Sequence, residues 1–215
     1  ASQTTGTYLM PRMIGVFRQK YPEVSVQLQI HSTRRTGWSV SNGQIDIAII
    51  GGQLPLELNE SLKVIPFATD ELALVLPINH QLAKLKELKK EDLYSLGFIT
   101  LDTQSTTRKV VDQLLLSSGL DVQRLHIEME LNSLEAIKNA VQANLGAAFL
   151  PVVSIERELL GGSLHRPIVA DLEVKRELKV ITNPGRYSSR AAEAFIKDIL
   201  PLFASSVSPL FNSEN

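Results

Sequence analysis

Short apolar strand patterns alternate with amphipathic helix patterns along most of this chain, and that alternation restricts its fold more than any other feature. Val24–Ile30 alternates apolar and polar residues, and Ile45–Ile50 is a compact apolar stretch; both are typical of strands. Apolar residues at helical spacing over Leu9–Phe17 predict a helix before them, and Ser32–Gly43 predicts one between them. A β-α-β order favours a parallel sheet with right-handed crossovers, so we assign the α/β class.

The same alternation continues towards the end of the chain. The later strand patterns are Glu71–Pro77, Phe98–Leu101, Leu125–Leu131, Ala147–Leu150 and Glu177–Thr182. The later helix patterns are Thr106–Ser117, Ser133–Ala143, Val152–Leu160 and Ser189–Phe203. A charged, partly helical connection is predicted over Lys84–Leu96.

The earlier and the later groups of elements are each about the size of a small domain, so the sequence predicts two small α/β subdomains. We place subdomain I at residues 1–76 and 177–205, and subdomain II at residues 77–176. Residues 206–215 are predicted to fray because they are rich in serine and asparagine. Two crossings would form a hinge, and a cleft between two α/β lobes is a natural site for a small molecule.

Composition excludes several classes of protein. The chain has no cysteine, which excludes disulfide scaffolds, cysteine-ligated metals and cysteine nucleophiles. Its 22 basic and 23 acidic residues leave a formal net charge of −1, which disfavours DNA binding by these residues alone. No apolar run approaches the roughly 20 residues of a membrane span. The first residues lack a signal-peptide pattern, so we expect a cytoplasmic location and no membrane partner.

Residue patterns for catalysis are missing from the sequence. The four histidines do not follow a metal-binding spacing, and the chain contains no Gly-x-Ser-x-Gly elbow. Its glycine pairs are typical of turns rather than of phosphate loops. We therefore predict no catalytic residue, no metal site and no enzymatic activity.

Polar residues cluster where strand patterns give way to helix patterns. These stretches are Ser2–Thr7, His31–Arg35, Asp102–Arg108 and Asn132–Glu135, the last matching a capping box with Asn132 as the cap. Helix capping is the more common role for any single one of them. Strand ends in α/β sheets also face ligand crevices, and helix starts favour anions. Arg34, Arg35 and Arg108 would suit a carboxylate or phosphate; the alternative for these arginines is a solvated surface.

Several motifs in this order resemble the effector-binding, regulatory part of LysR-type transcriptional regulators. The matching stretches are Thr4–Arg12 with Phe17–Pro22, Asn42–Ile49, Asp70–Pro77, Asn132–Val141 with Leu145–Ala148, and Arg186–Phe195. The resemblance covers residues 1–203. Within the family, Ser2–Arg12 with His31–Arg35 resembles the branch that controls carbon dioxide fixation and inorganic-carbon uptake in cyanobacteria and plastids.

The resemblance implies a fold, a ligand class and partners. It implies two Rossmann-like subdomains of the periplasmic-binding-protein-like type 2, joined by two hinge crossings, with an effector bound between them. The effector would be a small anionic metabolite such as ribulose 1,5-bisphosphate, 2-phosphoglycolate or 2-oxoglutarate, and no cofactor is implied. The regulatory domains would form a homodimer, with residues around Leu9–Phe17 facing the partner, and the full-length protein a homotetramer. DNA would be bound by an N-terminal winged helix-turn-helix that these residues do not include.

The resemblance also assigns effector contacts to the polar junctions. The first two junctions would supply Thr4, Thr5, Ser32 and Thr33, and the facing lobe Gln104, Ser105, Thr106, Asn132 and Ser133. Charge alone adds Arg34, Arg35 and Arg108 as anion partners. Two alternatives remain open at this point. One is a periplasmic-type solute-binding protein for a small anion, and the other is an enzyme on the same scaffold, such as a prephenate dehydratase-like lyase.

Overall fold

The computed structural model describes residues 1–204, which form two compact units. Unit 1 is Ala1–Asp70 with the residues from Glu177 onward, and unit 2 is Glu71–Arg176. The chain passes between the units within β2 (Lys63–Pro77) and within β9 (Lys175–Thr182). The first crossing lies a few residues before the boundary at residue 76 that the sequence suggests.

Unit 1 begins with a helical turn, Thr5–Leu9, that continues directly into α1 (Met10–Lys20). Its other elements are α2 (Thr33–Ser41), β1 (Ile47–Ile50), α6 (Arg190–Asp198) and α7 (Leu200–Phe203). β1 pairs antiparallel with β9. The helix that the sequence predicts over Ser189–Phe203 is divided at Ile199, because Pro201 lacks the N–H that would continue the helical hydrogen bonds.

Unit 2 contains most of the strands. Its elements after β2 are β3 (Glu87–Leu88), β4 (Gly97–Leu101), α3 (Thr106–Ser117), β5 (His126–Leu131), α4 (Leu134–Gln142), β6 (Ala148–Pro151), α5 (Val152–Leu160), β7 (Leu164–His165) and β8 (Ile168–Val169). β4 pairs parallel with β5, and β3 pairs parallel with β8. β2 pairs antiparallel with β6 and β7. Since β7 and β8 are two residues long, neither shows a periodic pattern in the sequence.

The parallel sheet that the β-α-β order predicts is found in part. β-α-β connections do produce the parallel pair β4–β5. The strands that carry the chain between the units, β2 and β9, instead pair antiparallel with β6 and β1. A strand that arrives from elsewhere in the chain is not bound by the crossover rule for consecutive strands, so its direction is decided by tertiary packing.

The prediction of a strand over Val24–Ile30 was wrong. The end of this segment nonetheless forms backbone hydrogen bonds with Ala1. The amino group of Ala1 donates to the Gln29 carbonyl at 2.7 Å, and the His31 N–H donates to the Ala1 carbonyl at 3.1 Å. A groove of about 190 Å³ lies between this segment and the residues leading into β1. No strand within residues 1–204 fills it, and alternating residues without a neighbouring strand cannot form a ladder.

Each unit has its own apolar core. In unit 2, Leu76, Phe98 and Leu115 are almost fully buried between the strands and α3. In unit 1, Val40 of α2 and Ile50 of β1 belong to a second buried cluster. α1 and α6 meet through Phe17 and Phe195, whose rings pack edge-to-face with centroids 5.3 Å apart. Burial of these two rings therefore fixes α6 against α1.

Truncating Phe195 tests this packing. Phe195→Ala should lower the free energy of unfolding of unit 1 by about 3–5 kcal/mol, because it leaves a cavity beside Phe17. Leu202→Ala is the matched control, since the Leu202 side chain is 64% exposed. Urea unfolding followed by circular dichroism measures both variants. Equal, small losses in the two would show that the contact between α1 and α6 contributes little.

Candidate functional site

In unit 1, two polar helix starts lie side by side. Ser2 and His31 form a parallel β-bridge, and the Ser2 N–H donates to the Ile49 carbonyl at 3.0 Å. The turn after Ser2 and the first turn of α2 therefore begin at the ends of neighbouring extended segments. Because N–H groups in a first helical turn have no acceptor within the helix, two positive helix ends are adjacent here.

The Thr5 hydroxyl anchors the first of these turns. Thr5 is 1% exposed, and its Oγ1 donates to the Ile49 carbonyl at 2.7 Å. The same oxygen lies 3.0 Å from Ser2 Oγ and 3.1 Å from the Ser2 carbonyl. The neighbouring Thr4 is also buried. In this arrangement the single hydroxyl proton of Thr5 is directed at β1, so the side chain holds the turn in place.

The second start combines a cap with exposed positive charge. Ser32 is the N-cap of α2, and its Oγ accepts a hydrogen bond from the Arg35 N–H at 3.3 Å. Thr33 is buried, whereas Arg34 and Arg35 are exposed. The capping interpretation is thus confirmed for Ser32. Its neighbouring arginines lie on the surface beside the helix start, where they could meet an anion.

Two further residues shape this junction. The pKa of His31 is held below its usual value of 6.5, by burial first and then by Arg35 and the N-terminal ammonium group. The imidazole is therefore neutral at pH 7, and the arginines supply the positive charge. Thr36, which the sequence reasoning missed, is fully buried, and its hydroxyl donates to the Ala1 carbonyl at 3.4 Å. A threonine inside a helix gives no signal of such a long-range bond.

In unit 2, the starts of α3 and α4 follow two paired strands. β4 leads into α3, β5 leads into α4, and β4 and β5 are parallel neighbours. Both helix starts therefore lie at the same edge of this strand pair. Ser105 caps α3 by accepting from the Arg108 N–H at 3.4 Å, and Gln104 before it is exposed. Thr106, the first residue of α3, is half-buried.

The cap of α4 differs from the prediction. Ser133, rather than Asn132, is the N-cap, and its Oγ accepts from the Ala136 N–H at 3.4 Å. The capping box with Asn132 was therefore wrong by one residue, because the helix begins at Leu134. Asn132 is exposed just before the cap. Glu135, expected to complete the box, instead accepts a hydrogen bond from Lys138 at 3.0 Å.

Arg108 is held by protein groups on its own unit. Its Nε lies 2.8 Å from both carboxylate oxygens of Asp112. Its Nη1 donates to Thr100 and to the Leu101 carbonyl, and lies 3.9 Å from a carboxylate oxygen of Glu130. The guanidinium therefore ties α3 to β4, with two carboxylates balancing its charge. Contact of Arg108 with an anionic ligand stays a prediction.

An ion cluster around a buried lysine joins α4 to α5 behind the α4 start. The Lys138 side chain is 9% exposed, and its Nζ lies 2.9 Å from Glu158 and 3.0 Å from Glu135. It also donates to the Ser154 carbonyl at 3.2 Å. This cluster fixes the direction of α4, and thus of Ser133, relative to α5.

Removing the charge of Lys138 should therefore destabilise unit 2. Lys138→Met is expected to cost about 1–3 kcal/mol of unfolding free energy, because the half-buried Glu158 and the Ser154 carbonyl would lose their cationic donor. The double variant Lys138→Met with Glu158→Leu should recover most of that loss, since the half-buried carboxylate is removed together with its cation. Denaturant unfolding compares the three proteins. Failure of the double variant to recover would assign the loss to packing instead.

Within residues 1–204, no group of three or more histidine, cysteine, aspartate or glutamate side chains could hold a metal ion. None of the helices in the same part of the chain is both long enough and apolar enough to cross a membrane.

Comparison with known proteins assigns the family. The model of the LysR substrate binding domain matches residues 1–203. The chain belongs to this family. A Nostoc protein named "Probable RuBisCO transcriptional regulator" is 63% identical over 95% of the chain, and one of the same name from Porphyra purpurea is 59% identical over 94%. These matches cover 60% and 64% of the two relatives, so the chain spans about three-fifths of their length.

Solved structures agree with that assignment. The regulatory domain of Synechocystis CcmR in complex with 2-PG superimposes with a TM-score of 0.81 at 25% identity, covering 94% of each chain. The effector-binding domain of QuiR in complex with shikimate gives a TM-score of 0.78 at 19% identity, covering 94% and 93%. The predicted class, a LysR regulatory domain of the periplasmic-binding-protein-like type 2 fold, is therefore confirmed.

The role of Thr5 as an anchor can be tested by removing only its hydroxyl. Thr5→Val keeps the shape of the side chain and should destabilise unit 1 by about 1 kcal/mol, because the Ile49 carbonyl keeps the Ser2 N–H but loses the Thr5 hydroxyl as a donor. Thr7→Val is the control, since Thr7 is exposed on the same turn. Thermal and urea unfolding report both changes. A loss in Thr5→Val no larger than that in Thr7→Val would contradict the anchor.

Proposed function

We propose that this chain is the effector-sensing part of a LysR-type transcriptional regulator that controls carbon-assimilation genes. The names of the Nostoc and Porphyra relatives support this role. Such relatives are transcriptional regulators and not enzymes, which favours regulation over both alternatives considered from the sequence. DNA binding would belong to the part of the full-length protein that lies outside these residues. We place the protein in the cytoplasm, as a homodimer through its regulatory domains and a homotetramer at full length.

The ligand we propose is a small anionic metabolite, with 2-phosphoglycolate as the first candidate. Support comes from the CcmR regulatory domain, whose structure holds 2-PG. Ribulose 1,5-bisphosphate and 2-oxoglutarate belong to the same class of small anions. The observation that carries the proposal is the pair of adjacent helix starts in each unit, because first-turn N–H groups bind phosphates and carboxylates.

The contacts we propose are divided between the two units. In unit 1, Thr4, Thr5, Ser32 and Thr33 would line the anion, and Arg34 would add charge. In unit 2, the proposed contacts are Gln104, Ser105, Thr106, Arg108, Asn132 and Ser133. Since Thr5 and Arg108 are already bonded to neighbouring groups, we assign them mainly the positioning of their helix starts. Ligand binding would alter transcription only if the anion prefers one arrangement of the protein over another.

Thermal unfolding with a panel of anions tests the proposed ligand class. The panel is 2-phosphoglycolate, ribulose 1,5-bisphosphate and 2-oxoglutarate, with neutral sugars as controls. A ligand present at about one hundred times its dissociation constant adds about 2.7 kcal/mol to stability, which raises the unfolding temperature by several degrees. A rise with one anion and none with the sugars is expected. No rise with any anion would contradict the proposal.

Neutralising one arginine tests where the anion binds. Arg34→Gln should weaken binding of the effective anion about tenfold, because a charge-assisted hydrogen bond at the start of α2 is lost. Arg18→Gln is the matched control, since Arg18 is exposed on α1 of the same unit and the net charge changes equally. Isothermal titration calorimetry measures both affinities. Equal weakening in the two variants would indicate attraction by overall charge and not a site at α2.

A further inference from the structure

Arg176 joins the start of α3 to the strand by which the chain leaves unit 2. It is the last residue of unit 2 and lies in β9, which continues into unit 1. Its Nη1 donates to Thr107 Oγ1 at 2.9 Å. Thr107 is the second residue of α3, next to Thr106 and close to the cap Ser105. One hydrogen bond therefore links a proposed ligand-contacting turn to a crossing strand.

The position of Arg176 within β9 is unusual for a charged residue. Burial alternates along this strand, so that Arg176 and Leu178 are buried while Lys175 and Glu177 are exposed. Arg176 is only 7% exposed and takes a core-facing place that an apolar residue would normally fill. Burying a guanidinium costs free energy unless its N–H groups keep their acceptors. The Thr107 bond is therefore part of what makes this placement tolerable.

The first turn of α3 is thus held by two arginines with different attachments. Arg108 ties the turn to β4, which lies wholly within unit 2. Arg176 ties the same turn to β9, which carries the chain out of the unit. A ligand that binds to Ser105 and Thr106 changes the surroundings of the adjacent Thr107. The Arg176 guanidinium contacts Thr107 directly. Of these two attachments, the Arg176 bond is the one placed to pass such a change to the crossing strand.

We propose that Arg176 is a positioning residue that couples an effector bound at the start of α3 to the crossing strand β9. This inference rests on the proposed function, because it requires an anion to bind at Ser105 and Thr106. Loss of the Thr107 hydroxyl would then leave the anion contacts at Ser105 and Thr106 in place. The coupling that we infer is a change in the arrangement of the two units on binding, and loss of this hydroxyl would reduce that change.

Fluorescence energy transfer between the units measures that rearrangement. The chain has no cysteine, so Glu60→Cys and Gln123→Cys provide exposed labelling sites on unit 1 and unit 2. The probe is 2-phosphoglycolate, added to the labelled protein and to its Thr107→Val and Thr107→Ser variants. Calorimetry gives the affinity of each protein, and thermal unfolding shows that each is folded.

The expected result separates coupling from binding. Thr107→Val should bind the probe within about threefold of the parent affinity but lose about half or more of the transfer change. Thr107→Ser keeps the acceptor hydroxyl and should behave as the parent. A full transfer change in Thr107→Val, or no transfer change in a parent that binds the probe, would overturn the coupling alone. A parent that binds none of the tested anions would overturn the proposed function and the coupling with it.

Discussion

The hydrogen bond from the Thr5 hydroxyl to the Ile49 carbonyl is the constraint on which the candidate site in unit 1 depends. It fixes the first helical turn to β1, while the bridge between Ser2 and His31 places the start of α2 beside it. Both turns begin with N–H groups that have no acceptor one turn earlier in their own helix, and such helix starts favour an anion. Burial lowers the pKa of His31, so the positive side chains at this junction are those of Arg34 and Arg35.

Unit 2 reaches a similar chemical result by different means. Its two helix starts follow the parallel strands β4 and β5, and each is capped by a serine. Two basic side chains then hold these helices in place, one of them buried and the other half-buried. Lys138 secures α4 against α5, and Arg108 secures α3 against β4. A site made of first-turn N–H groups needs such support, because misplacing a helix start by a small distance would weaken every bond it makes.

The arginines show how location changes the role of one residue type. Arg34 is exposed at a helix start, Arg108 is bonded to Asp112, and Arg176 is buried in a crossing strand. All three carry the same charge, yet in our proposals the first contacts the ligand and the third couples the ligand to the strand. Arg108 mainly positions the start of α3. What separates the three roles is the set of acceptors that the fold places around each guanidinium.

The sequence by itself determined the elements that follow local rules: α3 and α5 begin and end where their periodicity and caps predicted, and the motifs identified the family. Strand pairing decided other elements, since Val24–Ile30 has a strand pattern but pairs with no strand within residues 1–204. Tertiary structure alone made β1 and β2 antiparallel to their partners. It also joined Arg176 to Thr107, 69 positions away. Caps and periodicity act within a few residues, whereas pairing and buried charge depend on contacts between distant parts of the chain.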